Sequence, residues 1–383
     1  MSKSKSRSLN LYAGERQHKV FCSMEERFPI GEMAAATRPF QFPLGDTVSL
    51  PEHYTFNGAS LSSEALIKAT DTSALLVLKD GQLRLEQYFL TGGRQVQWTS
   101  WSVAKSFISA LVGIAIDEGF IASVEDPINR YVPALEHSGY QGVAIKHVLQ
   151  MSSGVRWNED YSDINADVHR LGKVMAGEAS LEAFVAAIAP DREPGTRCQY
   201  NSADTQALGL LLINATGRTL ADYMQEKLCE PLGMESRGYW ILDNTGVELA
   251  LGGLNLTARD FAKIGELYRN GGNWRGRQVV PKTWVEASLA SGGSHLAPGE
   301  VLVGGHLFPF GYGYQWWLPK SDCGEFSAVG VYNQFVYCDP SRGIVIVKLS
   351  ANPRYGVSEL EADNKDEENM AFLQAIARSE ALQ

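Results

Sequence analysis

The residues best suited to covalent chemistry are Ser102-Val-Ala-Lys105. A serine hydroxyl is a weak nucleophile at neutral pH and needs a neighbour to take its proton. Residues three apart share a helix face, which places Lys105 one turn beyond Ser102, off the apolar stripe. A lysine packed against an apolar helix has its pKa pushed down and can act as, or assist, a base. The helix N-terminus adds partial positive charge and free N–H groups beside Ser102. The same pair also reads as an N-cap serine followed by a solvated lysine, and the four-residue pattern alone does not separate the two. A second match, Ser2-Lys-Ser-Lys5, falls in a polar tail and is taken as chance.

Two further segments carry matching groups. Tyr200-Asn-Ser202 follows Pro194-Gly195 and precedes an expected helix. A tyrosine hydroxyl beside a lysine or a helix dipole can relay a proton between nucleophile and leaving group. Ala328-Val-Gly-Val331 falls on an expected strand. Gly330 permits close backbone approach, and the Val331 N–H is expected to complete an oxyanion hole with the Ser102 N–H. Taken singly, Tyr200 reads as a half-buried loop tyrosine and Gly330 as a packing glycine. Other chemistries find no support: G-x-S-x-G, H-E-x-x-H and the G-x-x-x-x-G-K-[ST] phosphate loop are all missing. His147 and His295 are lone histidines and are read as structural. Trp98, Trp101, Trp316 and Trp317 are candidates for cleft walls, with core packing the reading for at least half of them. No metal or organic cofactor is implied.

These segments must be positioned by ordinary elements. Leu75–Leu78 and Leu83–Phe89 flank Asp80-Gly81, a hairpin signal, because both residues tolerate positive φ. Ala104, Phe107, Ile108, Leu111, Val112, Ala115 and Ile116 form a helical stripe, with Gly119 placed as its cap. Ser62–Ala69 is a short candidate helix. Ser202 and Thr257 read as helix N-caps, Thr257 with Asp260 as a capping-box-like pair. Val331–Cys338 and Ile344–Leu349 surround a turn at residues 339–343, and a last helix falls near residues 367–381. Residues 1–60, punctuated by four prolines, read as an irregular arm. The expected organisation is an α/β domain split between 61–119 and 250–383, around a helical domain at 120–249. A cleft between the two lobes is where a site is expected.

The chain has 383 residues, 34 basic against 44 acidic, and a net charge of −10. The 15 Phe, 15 Tyr and 8 Trp exclude a disordered chain. The best apolar stretch, Phe107–Ile116, is too short for a membrane span. The acidic balance and missing basic stripe argue against nucleic acid. Five scattered cysteines, with no C-x-x-C pair, suggest neither a disulfide framework nor a zinc ribbon. The basic N-terminus lacks an apolar h-region, so the expectation is a cytoplasmic protein. A homodimer is compatible with the sequence but not dictated by it.

The order and spacing of several motifs resemble the serine β-lactamase and penicillin-recognising superfamily, in its class C branch with its esterase relatives. Within these, the chain resembles the 6-aminohexanoate-dimer (nylon-oligomer) hydrolases. The resemblance rests on residues 102–106, Asn158-Glu-Asp-Tyr161, residues 199–203, Gly252-Gly253 with residues 257–260, residues 292–295, Gln315-Trp-Trp317 and Ile346-Val-Lys-Leu-Ser350. They run in the family's order over roughly residues 60–352. It implies an α+β fold of class C type: an antiparallel sheet with flanking helices and an inserted, mostly helical lobe. It also implies an acylated Ser102, proton transfer shared by Lys105 and Tyr200, a substrate contact at Tyr161, which also reads as a structural tyrosine, and substrate-facing positions at Ser202 and Gly330. The expected reaction is hydrolysis of a small ester or linear amide. Alternatives on the same scaffold are a non-catalytic sensor and a D-amino-acid amidase or DD-peptidase.

The chain also departs from its relatives. Ser202 stands where class C β-lactamases commonly have Asn. Ala328-Val329-Gly330 replaces their Lys-Thr-Gly, removing a cation that helps bind the drug's carboxylate. Tyr332-Asn333-Gln334 replaces a His-Gly-Gln run of nylon-oligomer hydrolases. The acidic residue with which some of those enzymes hold the substrate amine aligns near Gly172. Weak β-lactamase activity is expected, and turnover of the nylon dimer itself is in doubt.

Overall fold

The computed structural model describes residues 17–382, so the basic tail and its Ser2–Lys5 match lie outside the described residues. Its main sheet has seven antiparallel strands. They are β1 (Thr72–Lys79), β2 (Gln82–Tyr88), β3 (Gly311–Tyr312), β4 (Trp317–Leu318), β5 (Phe326–Gly330), β6 (Gln334–Asp339) and β7 (Ile344–Ser350), in the spatial order β3-β4-β5-β6-β7-β1-β2. Asp80 and Gly81 turn the β1–β2 hairpin with φ of 50° and 73°, the left-handed conformation expected of them. Strand β7 pairs along β1, with Ile346 opposite Val77, and so joins sequence-distant segments in one sheet.

Both faces of this sheet are covered, and the period-2 alternation of strands divides the core. Leu76, Leu78, Val336, Val345 and Val347 face one side with Phe261 and Ile264 of the helix Ala258–Arg269. Leu75, Val77, Phe335, Tyr337, Ile344 and Ile346 face the other, with Met370, Leu373 and Ile376 of the helix Asp366–Ala377. Helix α1 (Ala104–Asp117) was expected to bury one stripe, but it is buried nearly all round, Lys105, Ser106 and Ser109 included. The helix α2 (Ser202–Thr216) and the first of the sheet-covering helices both pack on it, so it has no solvent face. The solvated-lysine reading of residue 105 is thereby excluded.

One expectation about the elements needs correction and another needs detail. The arm at 1–60 is not irregular throughout: Ile30–Met33 pairs with Gly238–Ile241, and His53–Phe56 with Ala59–Ser62. The middle of the chain, expected to be mostly helical, also carries short strands. Gly238–Ile241 and Leu254–Leu256 form a small antiparallel sheet with Ile30–Met33 and Trp98–Thr99. The N-cap of α2 is Asn201, whose side chain accepts from the Ala203 N–H, while Ser202 is already inside the helix. Thr257 caps its helix as expected, accepting from the Asp260 N–H.

Candidate active site

Ser102 lies in a tight turn between the strand Trp98–Thr99 and helix α1. Trp101, just before it, has φ of 44°. That left-handed conformation strains a bulky side chain and persists only where its surroundings enforce it. Here the Ser100 N–H donates to the Leu254 carbonyl at 2.7 Å, and the Ser100 hydroxyl donates to the Trp101 carbonyl at 2.9 Å. Gly252 packs against the Trp101 backbone so closely that a Cβ would stand 3.3 Å from its carbonyl carbon. Ser102 is thus presented by a braced turn, with 8% of its surface exposed.

Lys105 is fully buried beneath it. Its Nζ donates to Ser102 Oγ at 3.1 Å, Ser202 Oγ at 3.1 Å and the Leu251 carbonyl at 2.7 Å. Burial lowers its pKa to about 8, against the opposing pull of Glu159 and Asp204. The neutral amine is thereby brought within reach of neutral pH. The surrounding bonds fix where the neutral amine's lone pair points. A carbonyl only accepts, and the single Ser202 hydroxyl proton is committed to Glu159 Oε1 at 2.5 Å. Ser102 is therefore the neighbour in this set that can give Lys105 a proton.

Tyr200 lies beside the pair, with its ring 5.4 Å from Lys105 Nζ and stacked on Trp317 at 5.2 Å. Burial, reinforced by the charge of Glu159, pushes the phenol well above its usual value, while the Ser102 side chain hydrogen-bonds it and favours its ionised form. A phenol so placed holds its proton and passes it on; it is not a standing phenolate. Tyr200 and Ser202 sit at the start of α2, whose cap Asn201 also donates to Asp204 Oδ1 at 2.9 Å. Tyr140 and Ser153 donate to the same oxygen. Burial nonetheless raises Asp204 to about 8, so it is mostly protonated at pH 7.

Opposite Ser102, strand β5 ends at Gly330. A Cβ on Gly330 would stand 2.8 Å from the Ser100 carbonyl oxygen and 3.0 Å from the Ser102 nitrogen. No side chain fits there, and the end of the strand lies directly against the Ser102 amide. Val331, expected on a strand, instead opens the turn Val331-Tyr332-Asn333 between β5 and β6. Tyr332 and Asn333 have φ of 63° and 68°. The turn is pinned from two sides. Gln334 Nε2 donates to the Val331 carbonyl at 3.0 Å, and Asn333 Nδ2 donates to Asp366 Oδ1 at 3.0 Å and the Asn364 carbonyl at 2.7 Å.

The structure therefore brings Ser102, Lys105, Tyr200, Ser202, Gly330 and Val331 together. It places Ser202 within the buried polar network, 2% exposed, rather than on a substrate-facing wall. The Tyr161 hydroxyl donates to Glu159 Oε1 at 2.7 Å, and its ring packs edge-on against Tyr355 at 6.2 Å. Gly172 lies on an exposed helical turn. Trp98, Trp316 and Trp317 are core residues, and Trp101 alone of the four is half-buried. The residue that sequence reasoning missed is Glu159, 1% exposed, which also accepts from the Trp157 Nε1–H and the Ser202 N–H, each at 2.7 Å. Its place in the Asn158–Tyr161 motif was the available signal. No cluster of metal-ligating side chains occurs among the described residues, and none of their helices is long and apolar enough to cross a membrane.

Known proteins resemble this chain in sequence and in fold. The family model described as Beta-lactamase matches residues 64–368. A 6-aminohexanoate-dimer hydrolase of Paenarthrobacter ureafaciens is 32% identical over 298 residues, covering 76% of this chain and 75% of that protein. A solved Bacillus anthracis structure, provisionally assigned to the same enzyme type, superposes with a TM-score of 0.83 at 23% identity, over 98% of this chain and 96% of the other. A D-stereospecific amidohydrolase from Streptomyces superposes with a TM-score of 0.60 at 15% identity, over 82% and 96%. The chain belongs to the beta-lactamase family and has its α+β fold. It is a serine hydrolase of that family.

Proposed function

We propose that the protein hydrolyses a carboxylic ester or small linear amide through an acyl-Ser102 intermediate. Neutral Lys105 takes the Ser102 proton as Oγ attacks the carbonyl carbon. The N–H groups of Ser102 and Val331 hold the oxyanion that forms. Tyr200, protonated in the resting site, hands its proton to the leaving oxygen or nitrogen and recovers one from Lys105. Water then attacks the acyl carbonyl by the same route in reverse, freeing Ser102 and the acid.

The observation that carries this reading is the Lys105–Ser102 contact. The ammonium is desolvated, its lone pair once neutral has one proton source among the three groups it bonds, and that source is the hydroxyl beside the close Gly330 edge. The amide arm draws support from the 32% identity to a 6-aminohexanoate-dimer hydrolase. The ester arm rests on chemistry: an alkoxide or phenoxide leaves with less protonation than an amine. Five free cysteines fit a reducing compartment, which supports cytoplasmic residence.

The test is p-nitrophenyl acetate turnover with a fluorophosphonate probe. Wild type should turn over the ester and carry one adduct on Ser102, and Ser102→Ala should lose both. Retained turnover in Ser102→Ala overturns the assignment.

A further inference from the structure

We propose that Glu159 is a positioning residue for the hydrolysis, fixing through Ser202 the direction in which Lys105 exchanges its proton. This deepens the reading above and rests on it. Glu159 touches neither Ser102 nor any group that bonds to substrate in that mechanism. It acts through the chain Glu159 Oε1–Ser202 Oγ–Lys105 Nζ–Ser102 Oγ, with links of 2.5, 3.1 and 3.1 Å.

The geometry gives Glu159 an unusual grip. Its two oxygens accept four hydrogen bonds: Oε2 from Trp157 Nε1 and the Ser202 N–H, Oε1 from Ser202 Oγ and Tyr161 OH. Two of the four come from one residue, the first of α2, so the carboxylate holds both the position and the hydroxyl rotor of Ser202. Were that hydroxyl free to turn, it would donate to neutral Lys105 and occupy the lone pair that must face Ser102. Glu159 removes that choice. Its negative charge also favours the ammonium formed when Ser102 gives up its proton. The arrangement does for a lysine base what an orienting carboxylate does for a histidine base. The ionisable groups facing this chain are Lys105, Asp204, Tyr200, Tyr312 and Tyr161. Of these, Lys105 is the one that must change charge in the first step.

The experiment is the pH profile of p-nitrophenyl acetate hydrolysis by Glu159→Gln. Its kcat should fall at least about tenfold, part of the roughly 10²–10⁴ that a positioned general base contributes. KM should hold, and the acid limb of kcat/KM should move to lower pH, because the charge that favours protonated Lys105 is gone. A residue that merely supported the fold would lower folded protein without moving that limb. Unchanged kcat, or an unmoved limb in folded Glu159→Gln, overturns the proposal. If Glu159→Gln does not fold, Ser202→Ala cuts the same link and leaves Glu159 its bonds from Trp157, the backbone N–H of residue 202 and Tyr161. It must then show the kcat loss with KM held, and wild-type kcat in Ser202→Ala refutes the relay. Wild-type labelling by the fluorophosphonate separates the two failures: an unlabelled Ser102 sinks the proposed function, whereas a labelled wild type with an unaffected variant sinks this inference alone.

Discussion

Gly330→Ala is the sharpest perturbation of the proposed oxyanion hole, because it changes one methyl group and no polar atom. The new Cβ would lie 2.8 Å from the Ser100 oxygen, 3.0 Å from the Ser102 nitrogen and 3.2 Å from the Gln334 Cβ. Ordinary contact needs about 3.4 Å or more, so the end of β5 and the Ser100–Ser102 turn must part by about 0.6 Å. Neither side yields readily. The turn is braced by the Ser100–Leu254 bond and the strained Trp101, and Gly330 is registered against Gln334. Overpacking of this kind costs about 1–3 kcal/mol of stability. The larger effect falls on the transition state. A gap of that size removes one of two donors from reach of the oxyanion, worth about 2.7–4 kcal/mol, or 10²–10³ in kcat. The assay is steady-state hydrolysis of p-nitrophenyl acetate, with a thermal melt to show the variant folded. Gly172→Ala is the control, since a Cβ there meets nothing within 4 Å. A folded Gly330→Ala retaining kcat within about threefold of wild type would show that this strand edge does not shape the hole.

Three further outcomes follow from the same site. With Lys105 lowered to about 8 and needed as the neutral amine, kcat/KM should climb about tenfold per pH unit below 8 and level off above it; a flat profile from pH 6 to 9 would remove Lys105 as the base. Cephalosporin turnover by pure protein should be weak, since the missing lysine at Ala328 costs about 1.5–3 kcal/mol of carboxylate recognition; efficient hydrolysis contradicts this. Asn201→Ala removes the α2 cap and a donor to Asp204, and should lower stability in urea by about 1–2 kcal/mol; an unchanged midpoint would mean that the cap is supplied otherwise.

Much of the site was legible because its parts obey local rules. Ser102 and Lys105 sit three apart at a helix start, Gly330 is a glycine in a β-rich run, and the Asp80-Gly81 turn announces its own conformation. What escaped depends on contacts far apart in sequence. An apolar stripe shows which face of α1 is buried, but not that the polar face will be covered too, and so a solvated Lys105 stayed open beside the packed one. The four strands of the small sheet have two to four residues each, too few for alternation to register. Asn201 and Ser202 are both capping types, and only the helix geometry assigns the cap to the first. Glu159 gains its meaning from Ser202, 43 residues away, and its place in the Asn158–Tyr161 motif was the signal the sequence carried for it.

The same contacts show how a buried lysine can remain a base. Desolvation alone would leave Lys105 neutral but poorly able to hold the proton it takes. A carboxylate in direct contact would hold that proton so well that the amine would seldom be free at neutral pH. Lys105 has neither arrangement: Glu159 is one hydroxyl away, and Asp204 is kept mostly protonated by its own burial. The value near 8 already sets burial against the upward pull of both Glu159, one hydroxyl away, and Asp204. Each proton that Asp204 keeps weakens that pull and leaves Lys105 more often the free amine.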